Sequence, residues 1–551
     1  MTRSSCTRLL TFASVFALLP ALAFTGGTAP AIAADASARD DAASCKALAG
    51  QTMAGGVTIT SAEYNPTGAT VERAKIGVPF CRVAGFAAPT SDSHVGFEIW
   101  LPPAASWNGK YQQEGSGGSV GSIGTGSMAQ PVEAGYATLA TDNGHESDPE
   151  APDGGSEQGW AVGHPEKMID FAYRAVHVSA VAAQAIVDKF YGHKAAESYF
   201  VGCSTGGRQA LMEATRYPDD FDGILAGAPA WHWTNQMTNA IWNTQAAYKD
   251  PTAITEQSVA ILHKAVMDSC DALDGVKDGV ISDPRRCTFD PKTIECKAGQ
   301  TEQCLRPVQV DAAERIYNGS HRSDGTRIFQ GYARGSELNW THIWAGKFSG
   351  GSAWDFWQQS VSQGKEGYGA PFDFDKDTDK MLNSKIGNET FSEAYNVKPD
   401  LTAFEKHGGK LIQYHGWADQ QISPFASVDF YQQAVAKLGG KANADSFYKL
   451  YMLPGIYHCA GGPGVGNIGD SSPAVQHDPE HDLVEAIDTW VTKHKAPNVL
   501  IGTHLDDSKK PDRTRPLCPY PQEAKYSGSG DINDAENFVC RAPGKLPIGP
   551  M

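Results

Sequence analysis

"VGCSTGG", residues 201 to 207, sets a serine between small residues with a cysteine directly in front of it. Gly202-Cys203-Ser204-Thr205-Gly206 fits G-x-S-x-G, in which a strand turns so sharply into a helix that only glycines fit two residues before and after the serine. The flanks supply that context. "ESYFVG" reads as a short strand, "GGRQALMEATRYP" as a helix and "FDGILAGAP" as a further buried strand. Such a turn holds the Ser204 hydroxyl up and points the N–H of Thr205 at an oxyanion developing beside it. A Gly/Ser loop can carry the same five letters; the strand and helix around them favour a nucleophile.

The same alternation continues outward. "GYATLATDNG" reads as a strand ending in a turn. "HPEKMIDFAYRAVHVSAVAAQAIVDKFYG" opens a long helix at Pro165, keeps apolar residues at Met168, Phe171, Ala175, Val178 and Ala182, and closes at Gly192. Strand patterns return in "GGKLIQYHGWAD" and "SFYKLYMLPGIYHC". In between, the chain is rich in Trp, Tyr, Gly and Asn, holds most of the local cysteine pairs and shows little alternation. The expected organisation is α/β, with an α/β-hydrolase core at 34–230 and 405–551 and a large inserted lid domain at 231–404.

A serine is inert without a base and a group that orients the base. In this fold they follow in the order Ser, Asp or Glu, His, each on a loop after a strand. Asp419 in "KLIQYHGWADQQISP" and His458 in "YKLYMLPGIYHCAGG" meet both conditions. His458 would take the serine proton and return it to the leaving alcohol, and Asp419 would hold its tautomer. Cys459 follows the base as Cys203 precedes the nucleophile. If base and nucleophile lie within hydrogen-bond reach, their neighbours come close enough for a Cys203–Cys459 disulfide.

Disulfides require an oxidising compartment, and the N-terminus points to one. Arg3 and Arg8, the run "LLTFASVFALLPALAF" and the small residues Ala31 and Ala33 read as a signal peptide over 1–33, hence secretion. Pro20 and the short run argue against a membrane anchor. Of 11 cysteines, Cys6 would leave with this leader. The others are Cys45, Cys81, Cys203, Cys270, Cys287, Cys296, Cys304, Cys459, Cys518 and Cys540, an even number that suits disulfides. No C-x-x-C spacing points to zinc. Cys270 with Cys287, Cys296 with Cys304, and Cys518 with Cys540 look like short clamped loops, although spacing alone does not fix the connectivity. The formal charge of −17 argues against nucleic acid or an anionic membrane as partner.

Between Cys270 and Cys287, "CDALDGVKDGVISDPRRC" presents Asp271, Asp274 and Asp278 among glycines, a donor set suited to a hard cation such as calcium. Asp-Gly turns also occur without metal, and the chemistry alone leaves both readings open.

"GCSTGG", "HGWAD" and "YHCAGGPG" resemble the tannase and feruloyl esterase family, and the resemblance runs from about Cys45 to Cys540. It implies the disulfides Cys45–Cys81, Cys203–Cys459, Cys270–Cys287, Cys296–Cys304 and Cys518–Cys540. It implies a structural calcium site in the lid, held by the side chains of Asp271, Asp274 and Asp278 and the carbonyls of Val276 and Val280. It also implies Gly117, in "YQQEGSGGSVGS", as the second oxyanion donor beside Thr205, with Gly115 as the alternative.

For an aromatic acid the lid offers Trp231, Trp233, Trp340, Trp344, Phe348, Trp354 and Trp357. Trp233 and Trp344, with Ile422 after the candidate Asp, are the expected slot residues. The family acts on gallate esters and plant cell-wall hydroxycinnamate esters, and includes a mono(hydroxyethyl) terephthalate hydrolase. In that member a lid arginine and a phenylalanine after the catalytic Asp grip the acid. Here Gln420, Gln421 and Ile422 follow Asp419, and "AGKFSGGSAWDFWQQSVSQGKEGYG" has no arginine, so efficient terephthalate monoester cleavage is not expected. The expectation is a serine carboxylesterase acting on small or cell-wall aromatic esters. The alternatives are a mono(hydroxyethyl) terephthalate hydrolase-like esterase and a non-catalytic, calcium-stabilised binding protein.

Overall fold

Strands β1 (Thr52–Met53), β2 (Val57–Asn65), β3 (Phe80–Ala87), β4 (Val95–Leu101) and β5 (Lys110–Glu114) are joined by β6 (Ala137–Thr141), β7 (Glu197–Cys203), β8 (Gly223–Gly227), β9 (Lys410–Gly416) and β10 (Tyr448–Leu453) in one sheet. Their spatial order is β1-β2-β3-β4-β6-β5-β7-β8-β9-β10. This computed structural model describes residues 40–544 apart from 73, 148–156, 346–350 and 366–370; the leader read at 1–33 and Phe348 lie outside the described residues.

Pairs from β1 to β6 along that order are antiparallel, and those from β6 through β10 are parallel. A parallel pair needs a crossover, and helices Ala175–Tyr191, Thr205–Arg216 and Pro424–Lys437 lie in these connections. Both faces of the parallel strands are covered, and β8 and β10, buried along their whole length, read as mainly apolar runs, whereas β5, KYQQE, does not. Alternation sorts their side chains. Phe200 joins Ile186, Leu211 and Phe430 in one apolar layer, while Tyr199 and Val201 face Ile487 and Trp490 of helix Leu483–Lys493 in the other. Three layers with this strand order make an α/β-hydrolase fold.

The helix expected from Pro165 runs as Pro165–Ile169, a π turn at Asp170–Arg174 and Ala175–Tyr191, and ends where Gly192 takes φ 87°. Residues 228–409 separate the adjacent strands β8 and β9, and the described ones among them add no strand to the central sheet. They include helices Trp233–Lys249, Glu256–Cys270 and Pro307–Asn318 and carry two aromatic-rich clusters. Among the described residues no helix is long and apolar enough to cross a membrane.

Helix Thr205–Arg216 lies so close to β8 that a Cβ on Gly207 would stand 2.1 Å from the carbonyl oxygen of Gly227. Both partners are backbone, so neither can rotate away. Gly207→Ala is expected to lower the free energy of unfolding by about 3 kcal/mol, the upper range for an overpacked core. A denaturant titration against the parent protein checks this; an unchanged midpoint would contradict the contact.

Candidate active site

Ser204 sits at the strand-to-helix turn with φ 65° and ψ −118°, a conformation an L-residue holds only when its surroundings enforce it. Its N–H donates to Gly227 at 2.9 Å, and its carbonyl accepts from Arg208 at 3.0 Å. A Cβ on Gly202 would lie 2.7–2.8 Å from the backbone of Gly206, so the motif's two outer glycines touch. The turn aims the hydroxyl at His458, whose Nε2 accepts from Ser204 Oγ at 2.9 Å. On the far side of the ring, His458 Nδ1 donates to Asp419 Oδ2 at 2.7 Å. The structure therefore brings Ser204, His458 and Asp419 into one hydrogen-bonded line, able to pass a proton from hydroxyl to imidazole.

Asp419 is fully buried, and its surroundings keep it charged. Burial pushes its carboxyl up, but the neighbouring His458 and His415 outweigh this and hold it well below the usual carboxylate range. Oδ1 accepts the N–H groups of Gln421 at 2.7 Å and Ile422 at 2.9 Å. Oδ2 is shared by His458 and by His415 Nε2 at 3.0 Å. His415 was missed in the sequence. Its Nδ1 accepts from Ser427 Oγ at 2.7 Å, which assigns the Nε2–H to Asp419. The signal that could have found it is the i, i+4 spacing in "HGWAD", where strand end and loop return to one another.

The loop after β5 is clamped from several sides. Gly115 N–H donates to Val201 at 2.8 Å and is therefore unavailable to a ligand. Ser116 N–H donates to Gln209 Oε1 at 3.0 Å, and Asn143 Nδ2 holds Ser116 Oγ and the Val120 carbonyl at 2.9 Å each. Thr205 Oγ1 donates to the Gly118 carbonyl at 2.7 Å, tying loop to elbow. The N–H of Gly117 has no acceptor among the described residues, and Gly117 and Ser204 line the same cavity. As the first helical residue, Thr205 also has an N–H without an intrahelical acceptor.

Five disulfides, Cys45–Cys81, Cys203–Cys459, Cys270–Cys287, Cys296–Cys304 and Cys518–Cys540, give the connectivity that spacing left open and the family resemblance implied. Cys45–Cys81 ties the first described helix, Asp41–Lys46, to β3. Cys296–Cys304 closes a loop of the insertion with a separation of 8 residues, and Cys518–Cys540 closes one of 22 near the C-terminus. Cys203–Cys459 spans 5.9 Å between Cα atoms and closes a sequence separation of 256 residues.

The cavity beside Ser204 and His458 measures about 830 Å³. The expected slot residues are not on its described wall. Trp233 and Ile422 lie in one apolar cluster and Trp344 in another, each no more than 3% exposed. Trp340, Trp354 and Trp357 are equally buried in these clusters, where large rings fill volume between helices.

In the acidic loop, Asp271 accepts from the N–H groups of Asp278 and Gly279 at 3.2 Å. Asp274 accepts from Val276 N–H at 2.9 Å, and Asp278 accepts from Val280 N–H at 3.2 Å and pairs with Arg515 at 2.6 Å. Burial raises Asp274 above its ordinary range, and the charges of Asp278 and Asp271 push it further. This mutual repulsion and the oxygen-only donors fit a hard cation. Among the described residues, the donor atoms that converge within 4.8 Å of one another belong instead to His177, Glu213 and Asp220.

Residues 81–541 match the family model described as tannase and feruloyl esterase. The chain is 33% identical over 492 residues to an uncharacterized esterase of Xanthomonas campestris, covering 84% of each. It is 32% identical over 534 residues to a mono(2-hydroxyethyl) terephthalate hydrolase of Piscinibacter sakaiensis, covering 84% of this chain and 85% of that one. The crystal structure of feruloyl esterase B from Aspergillus oryzae superposes with a TM-score of 0.84 at 28% identity, over 91% of this chain and all of that one.

The Cys203–Cys459 bridge fixes the loop carrying His458 against the turn carrying Ser204. In the Cys203→Ser/Cys459→Ser variant, unfolding free energy is expected to fall by about 2–4 kcal/mol. If the pair acts through this alignment, turnover falls at least tenfold with little change in KM. Thermal unfolding and steady-state kinetics on a model ester measure the two effects separately.

Proposed function

We propose, because the chain belongs to the tannase and feruloyl esterase family and is a carboxylic ester hydrolase, that it is a secreted serine esterase cleaving aromatic acid esters through an acyl-enzyme. The observation that carries this reading is the line Ser204 Oγ, His458 Nε2, His458 Nδ1, Asp419 Oδ2, with links of 2.9 and 2.7 Å.

His458 takes the Ser204 proton as Oγ attacks the ester carbonyl, and the N–H groups of Thr205 and Gly117 receive the oxyanion. The intermediate collapses with loss of the alkoxide, which takes the proton from His458 and leaves as alcohol. Water then enters. His458 removes one of its protons, hydroxide adds to the acyl carbon, and collapse returns the proton to Ser204 and frees the acid. Asp419, held charged, stabilises the imidazolium at each stage.

Feruloyl, hydroxycinnamoyl or galloyl esters are the expected acids, supported by similarity to feruloyl esterase B. The five disulfides support an extracellular or periplasmic site of action. Asp271, Asp274 and Asp278 with the carbonyls of Val276 and Val280 would hold calcium, whose charge would neutralise the clustered carboxylates and tie down the loop. None of these residues lines the cavity at Ser204, so the role is structural.

Initial rates on methyl ferulate, methyl gallate and mono(hydroxyethyl) terephthalate test the assignment. The parent protein is expected to cleave at least one of the first two, and Ser204→Ala to lose at least about 10⁴-fold in kcat, as for other nucleophile removals. Turnover of none of the three by the parent would favour the binding-protein alternative. Chelation is the separate test of the metal: EDTA is expected to lower the unfolding midpoint by several degrees, with calcium restoring it and magnesium not. An unmoved midpoint would remove calcium from the account.

A further inference from the structure

Glu213, near the end of helix Thr205–Arg216, is 1% exposed, and neither of its carboxylate oxygens has a hydrogen-bond partner among the described residues. Two orphaned acceptors on one buried side chain are costly, and Asp220, of the same sign, adds to the cost. No lysine or arginine is among the groups that act on Glu213. Donors of another kind surround it. His177, on the first turn of helix Ala175–Tyr191, places Nδ1 2.6 Å from Asp220 Oδ2, and its ring lies flat on Tyr217 with centroids 3.8 Å apart. One ligand atom from each of His177, Glu213 and Asp220 lies within 4.8 Å of the others. Two ligands of a tetrahedral ion with bonds of about 2.1 Å stand about 3.4 Å apart, so small side-chain rotations bring the set to an ion. The side chains of His177 and Asp220 are 30% and 16% exposed, which leaves a path from solvent to the buried carboxylate.

We propose that His177, Glu213 and Asp220 form a structural zinc site, with water as the fourth ligand, that joins helix Ala175–Tyr191, the far end of helix Thr205–Arg216 and the turn after it. None of the three lines the cavity at Ser204, so the site is separate from the catalytic line. A proton shared with Asp220 would satisfy one oxygen of Glu213 and leave the other without a partner. A divalent ion relieves both, and its two charges balance the two carboxylates. One imidazole with two carboxylates suits zinc, whose bonds to nitrogen and oxygen are of similar length. Calcium takes about six to eight oxygens, and three protein donors, one of them nitrogen, serve it poorly.

The test uses the full-length protein, stripped with EDTA and returned to zinc-free buffer with excess calcium, so that the acidic loop at Asp271 is not what is titrated. Calorimetric titration with zinc chloride is expected to show one site per chain with a Kd of about 1 μM or tighter. Glu213→Gln and His177→Gln should each weaken that site at least tenfold. At a hundredfold excess of zinc over Kd, the unfolding midpoint should rise by about 2–3 °C in the parent protein and in neither variant. Absence of any site tighter than about 100 μM in the parent would overturn the proposal. So would equal affinity in the parent and both variants, which would place the zinc on other histidines. The parent titration needs no variant, and His177→Gln, which alters a partly exposed side chain, keeps the comparison open if Glu213→Gln does not fold.

Discussion

Between the strand ending at Cys203 and the helix beginning at Thr205 there is no space for an extra carbon. Gly202 and Gly115 each meet the Gly206 backbone, and Gly207 meets Gly227, all at distances a Cβ on the first residue could not tolerate. This backbone contact sets everything near it. It forces Ser204 to a positive φ, and the N–H bond from Ser204 to Gly227 anchors the turn to the neighbouring strand. The closeness of Gly115 to Gly206 then places the following loop, with Gly117, beside the same serine. Main-chain contact thus positions the serine, and side-chain bonds from Gln209, Asn143 and Thr205 then hold the Gly117 loop beside it.

The second constraint is electrostatic. A carboxylate as deep as Asp419 is tolerated only when its oxygens are saturated with donors. Two come from the loop itself, at Gln421 and Ile422, and two from histidines. His458 is the member of that set that also reaches the serine, through its other nitrogen. It lies on a glycine-rich turn after β10, where Cys459 itself adopts φ 61°. The bond from Ala418 N–H to the Ile456 carbonyl at 3.0 Å and the covalent link from Cys459 to Cys203 hold this turn on either side of His458.

What could be read in the sequence follows the range of the interaction. The elbow is encoded within seven residues, and the parallel strands around it announce themselves as apolar runs, whereas the polar β5, KYQQE, does not. The Cys203–Cys459 bridge was legible because both cysteines sit next to residues that chemistry obliges to meet. Cys45 and Cys81 carry no such signal, and their pairing followed only from the family resemblance. His415 was not legible, since its role appears only when the strand end and the Asp419 loop fold over one another. The aromatic slot was illegible for another reason. Tryptophans that fill a core and tryptophans that face a ligand have the same local pattern, and burial turned Trp233 and Trp344 inward. The cavity at Ser204 draws on Gln112, Glu114 and residues near 470–485, positions too far apart in the chain to suggest one wall.

The inserted residues 228–409 therefore act on the site by a route other than the described cavity wall. Tyr332 Oη donates to the Gln421 carbonyl at 2.8 Å, Gln236 Nε2 to the same oxygen at 3.0 Å, and Ser423 Oγ to the Gly331 carbonyl. These bonds grip the loop whose N–H groups hold Asp419. Stability within the insertion, including its clamped loops, is consequently coupled to the position of the charged residue that orients His458. Distance from the serine does not make that part of the chain a bystander, because the Asp419 loop is bonded directly to the insertion and, through His458, to the serine.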